Sequence, residues 1–116
     1  MKYKYGNFSD AQIKETAKNM HNEIHKLLLY KDSRISDPIF DSPSDFEAYF
    51  DNLLLRYGGL NELIESPPVM VEFMSVLQAA LTEYHKDKFS FHTYRKLILD
   101  AHELLKEMFG EVRDNA

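Results

Sequence analysis

The chain contains no cysteine, which excludes disulfides, thiolate metal sites and thiol nucleophiles together. Long apolar runs are missing too. Uninterrupted stretches reach three or four residues, far short of the roughly 20 that a membrane-spanning helix needs. The opening MKYKYGNF has no apolar segment of the kind a secretory signal carries. A soluble, cytoplasmic protein is therefore expected. Four glycines and four prolines in 116 residues are too few for a fibrous or disordered chain. Basic residues are not gathered either: the longest basic clusters are pairs such as Arg95-Lys96, with no stripe to neutralise duplex phosphates. Neither a P-loop nor a Rossmann glycine pattern occurs, and Gly-x-Ser-x-Gly is absent. Nucleotide binding and serine-triad chemistry have no support, and no cofactor is expected.

What is present makes a good core. Apolar residues are 44% of the chain, with eight Phe and seven Tyr, enough burial to offset the entropy of folding in one domain of this size. The net charge of −5, from 19 acidic and 14 basic residues, is spread along the chain and reads as a solvated surface.

Four helices follow from apolar spacing and end signals. The first starts at Ser9, which with Gln12 has capping-box spacing. Ile13, Ala17, Met20, Ile24 and Leu27 step by 4, 3, 4 and 3 and stay on one face until an end near Lys31. The polar segment KDSRISDPIFDSPS reads as a surface connection. Ser44 and Glu47 then suggest a second capping box, before Phe46, Phe50, Leu53 and Tyr57, with Leu54 beside them. Gly58-Gly59 reads as a stop, with a separate short turn over LNELIES. Pro67-Pro68 suits the start of a third helix, carrying Met70, Met74, Leu77, Leu81 and Tyr84. The fourth carries Phe91, Tyr94, Ile98, Ala101, Leu105 and Met108, and Gly110 reads as its end. The expected fold is all-α: a single domain over 1–116, an antiparallel four-helix bundle with a long polar loop between helices one and two. Residues 1–8 would form an extension and 111–116 a frayed tail.

Two stretches invite a chemical reading. In HNEIH, His21 and His25 share one side of a helix, while Glu23 points roughly 160° from His25. The order differs from the zinc-protease His-Glu-x-x-His, and Glu23 is placed wrongly to act as a base beside a metal on the pair. A metal site on His21 and His25 would need donors from facing helices, with His85, His92 and His102 as candidates. The second stretch is YRKLILDAH, where Arg95 and His102 lie two turns apart on one flank. An arginine seven residues before a histidine, with six residues between them, on a late helix of a small helical protein resembles the motif of HEPN-type helical ribonucleases. The resemblance implies a metal-independent RNA cleavage, with His102 as proton acceptor and Arg95 beside the phosphorane, the sites of two copies meeting in a dimer. The family commonly has a polar residue soon after the arginine, whereas here Lys96 is followed by apolar Leu97.

The aspartates of the connecting segment do not make a calcium loop, because the spacing is wrong and the central glycine is missing. Asp32, Asp37, Ile39, Phe40, Asp41 and Asp45 form instead a candidate docking edge for a protein partner. Methionines 70, 74 and 108 and the aromatics would suit a core or a self-association face. The reading adopted from the residues is a non-catalytic helical protein that binds another protein, as regulator, adaptor, inhibitor or immunity-type protein, with self-association into a homodimer open to it. The ribonuclease on Arg95 and His102 is the alternative. Nucleic acid is otherwise not expected as a partner, and neither is a membrane.

Overall fold

A computed structural model describes residues 2–3, 6–7, 9–29 and 40–114. Its long elements are helices: α1 over Asp10–Leu29, α2 over Pro43–Leu63, α3 over Pro68–Tyr84 and α4 over Phe91–Asp114. The only extended pairing among the described residues joins β1, Lys2–Tyr3, to β2, Gly6–Asn7, antiparallel with Lys2 opposite Asn7.

The start of α1 is closed by a reciprocal cap. The Gln12 amide donates to Ser9 Oγ at 3.1 Å and the Ser9 amide donates to Gln12 Oε1 at 2.8 Å, satisfying donors that the first turn leaves without helical partners. The start of α2 differs from expectation. Ser42, not Ser44, is the cap: its hydroxyl accepts from the Asp45 amide at 3.2 Å, and Pro43 fills the first helical position. Proline is tolerated there because its missing N–H would have no helical partner.

Gly58-Gly59 does not stop α2. The helix runs through both and absorbs most of the LNELIES segment. Each glycine costs about 1 kcal/mol in a helix interior relative to alanine. Continuing the helix, however, extends the buried row from Leu53 and Tyr57 to Ile64, with Leu60 packed beside it. Burial of such side chains gains roughly 1.5–3 kcal/mol each, so packing outweighs local propensity. The stop lies instead at Glu65 and Ser66, with φ of 64° and 50°, just ahead of Pro67. The Ser66 amide reaches back to the Asn61 carbonyl at 2.8 Å, and the Asn61 side-chain amide donates to Ser66 Oγ at 3.3 Å.

In α3 the buried row is Met70, Phe73, Leu77, Ala80 and Leu81. Met74 and Tyr84, expected in the stripe, lie half-buried beside it, and Phe73 takes the central place. Gly110 does not end α4, which continues to Asp114.

The four helices contribute to one core. Phe46, Phe50 and Leu53 from α2, Phe73 and Leu77 from α3, Ile24 and Leu27 from α1, and Tyr94 and Ile98 from α4 are all fully buried. α4 packs against both α3 and α1, and α2 packs against α3. The turn between α3 and α4 is held by Glu83, only 5% exposed. Its carboxylate accepts from Lys86 Nζ at 2.9 Å and from the Ser90 amide at 3.0 Å. These two donors hold the carboxyl below the usual carboxylate range. Ser90 in turn caps α4, accepting from the Thr93 amide at 3.2 Å. No helix among the described residues is long and apolar enough to cross a membrane.

Candidate functional site

The HNEIH stretch divides between two neighbours. Glu23 faces α2: Oε1 accepts from the Tyr57 hydroxyl at 3.0 Å, and Oε2 pairs with the Arg56 guanidinium. The Tyr49 hydroxyl donates to the Glu23 backbone carbonyl at 3.0 Å, and Arg56 Nε donates to Asn52 Oδ1 at 3.1 Å. Burial, then the Glu23 charge, raises the Tyr57 pKa and pushes that of Tyr49 up to about 12. Both phenols therefore stay protonated donors at neutral pH. Glu23 is a tie between α1 and α2 and takes no part beside the histidines.

His21 and His25 face the other way, toward α4. Their rings stack with centroids 6.3 Å apart, and His102 of α4 stands edge-on, 4.8 Å from His21 and 6.4 Å from His25. His102 is 8% exposed, and among the described residues neither of its ring nitrogens has a hydrogen-bond partner. An unmade hydrogen bond on a buried polar group costs about 1–3 kcal/mol, so the core residues around His102 tolerate it at a cost. Burial, reinforced by the charges of His21 and His25, pushes its pKa down to about 4, and the ring is neutral at pH 7. As the side chains stand, no group of three or more His, Asp or Glu residues among those described is arranged to hold a metal ion.

Arg95, the other half of the ribonuclease pair, is half-buried, and no hydrogen bond joins it to His102. The ring of His102 is turned to the α1 histidines instead. His85 stands at the far end of α3, with Nδ1 4.0 Å from Glu47 of α2, away from His21 and His25.

Of the candidate docking edge, Asp32, Asp37 and Ile39 lie outside the described residues. Phe40 is half-buried, its ring 5.3 Å from Phe46 and 5.1 Å from Tyr49. Asp41 and Asp45 are exposed, with Asp45 in the first turn of α2, where a carboxylate suits the helix dipole.

The largest departure from the sequence-based site lies on the outer side of α2 and α3. Leu55 is 76% exposed and Val71 45%. With Leu54, Asn61, Met74, Ser75 and Gln78 they line a shallow groove of about 480 Å³. Glu62 and Glu72 adjoin lining residues in the chain, are exposed, and take part in no ion pair among the described residues. A signal for the groove existed in the sequence. Three consecutive leucines, Leu53 to Leu55, point about 100° apart on a helix, so they cannot all enter one core.

The chain matches no protein-family model, no curated protein and no solved structure. Its chemistry rests on its own side chains: a mainly apolar groove, and a buried neutral histidine under two exposed ones.

Proposed function

We propose that the chain is a small cytoplasmic, non-catalytic protein that binds another protein, its helices arranged as an antiparallel bundle with a long polar loop between helices one and two. The observation that carries this reading is the apolar groove between α2 and α3. Single exposed leucines are ordinary. Leu55 and Val71 lining one concave, mainly apolar surface are what a binding anchor requires. The occupant is a partner segment presenting two apolar side chains at helical spacing with Lys or Arg beside them. Glu62, Glu72 and the net charge of −5 complement such basic neighbours.

Peptide display against the tag-free chain tests this. Enrichment of apolar, basic-flanked peptides whose binding fails for Leu55→Glu supports the reading. Enrichment of none, or of binders indifferent to Leu55→Glu, contradicts it. A chain of twice the 13.6 kDa mass in light scattering, returned to monomer by Leu55→Glu, would make the occupant a second copy instead.

The ribonuclease reading has one supporting feature, a histidine kept neutral and so able to accept a proton. Its burial beneath His21 stands against a ribose hydroxyl reaching it. On the protein-binding reading, wild type cleaves RNA no faster than His102→Ala.

A further inference from the structure

Where α1 packs on α4, three imidazoles gather from two helices. We infer that His21, His25 and His102 form a binding site for one divalent transition-metal ion of the zinc class, with a fourth coordination position open to solvent.

Zinc bound by imidazole nitrogens at about 2.0–2.1 Å in a tetrahedral arrangement places the ring centres about 5 Å apart. The His21–His102 pair is at 4.8 Å, and His25 is at 6.3 Å and 6.4 Å from the other two. The nitrogens are not yet converged, and closing the set needs movement of His25 above all. His21 and His25 are exposed and make no hydrogen bond among the described residues, so side-chain rotation is open to both. The i, i+4 spacing on α1 already sets them on one face.

The His102 ring, more than nine-tenths buried and with both nitrogens unpartnered among the described residues, lacks the hydrogen bonds that buried imidazoles ordinarily make. A metal bond at one nitrogen supplies a partner of the right kind. Metal ligation also needs the neutral ring, the state in which burial keeps His102. The donor set is nitrogen only: Glu23 is committed to Tyr57 and Arg56, and Glu103 lies within 3.4 Å of Lys106. Three imidazoles suit zinc, copper or nickel and not magnesium or calcium, which take oxygen ligands. A bound ion would fasten α1 to α4 across their packed faces.

Titration of the tag-free full chain with Zn²⁺ at pH 7.5, by calorimetry and by competition with a chromophoric chelator, tests the site. The expected result is one zinc per chain, with Mg²⁺ unable to compete, and a melting temperature raised by zinc. His102→Leu should weaken zinc binding at least tenfold and abolish the thermal shift. The exposed His21→Gln and His25→Gln should each weaken binding at least tenfold with folding intact, and they carry the test if His102→Leu does not fold. Failure of the wild type to bind zinc stoichiometrically overturns the inference. So does zinc binding of wild-type strength in His102→Leu, which would leave only the surface pair on α1.

Discussion

The Tyr94 hydroxyl donates to the Leu27 carbonyl at 2.6 Å. Leu27 lies near the end of α1, and Tyr94 is fully buried in the first turn of α4. One phenol thus ties α1 to α4. Tyr94→Phe keeps the ring contacts with Phe46 and Phe89 but removes this buried hydrogen bond. The expected loss is about 1–3 kcal/mol, read from urea unfolding with an unchanged m-value.

The Glu23 tie acts between α1 and α2. Glu23→Ala and Tyr57→Phe should each destabilise, and the double variant should lose less than their sum. A coupling of about 1 kcal/mol is expected in the double-mutant cycle. Strict additivity would mean that the 3.0 Å bond contributes nothing. The Arg56 pairing is more exposed, 51% at the arginine, and Arg56→Ala should cost well under that amount.

Gly59 sits within α2, four residues before its end, with open space where a side chain would start. Gly59→Ala should raise stability by about 0.5–1 kcal/mol, by reducing the freedom of the unfolded chain. A loss on thermal or urea unfolding would show that the helix does not run through this position.

His102 gives the stability a pH dependence of definite sign. Its pKa is about 4 when folded, against about 6.5 in an unfolded chain. Between these values the unfolded state binds the proton and the folded state does not, so stability falls as pH drops from about 6.5 towards 4. The total is on the order of 3 kcal/mol. His102→Leu should flatten that part of the profile, as measured by urea midpoints across pH 4 to 7.

The helix faces were legible because their determinants are local. Steps of 3 and 4 place Ile13, Met20, Ile24 and Leu27 in the core whatever the neighbours are, and Ser9 with Gln12 needs only four residues to be read. Local signals also explain the errors. Gly58-Gly59 has the chemistry of a stop, but the burial of Leu60 and Ile64, decided by packing on other helices, overrode it. Phe73 lay one position from the expected Met74, and only the docking of α3 settles which of the two points inward. The candidate site was less legible still. That Glu23 turns from the histidines follows from helical geometry alone, but the approach of His102 to His21 depends on how α4 is set against α1, which no spacing within one helix records. Leu55 was marked by the run of three leucines, while Val71, lining the same groove, is apparent only once α2 and α3 are side by side.

On the proposed function, the α2–α3 groove binds a partner segment. The most direct measurement is the affinity of the best display-selected peptide for wild type and for Leu55→Glu, alongside the unfolding curve of each. With the fold intact, affinity should fall at least tenfold, because the charge would enter the apolar anchor site. Equal affinity for both proteins would show that the groove is not the binding surface.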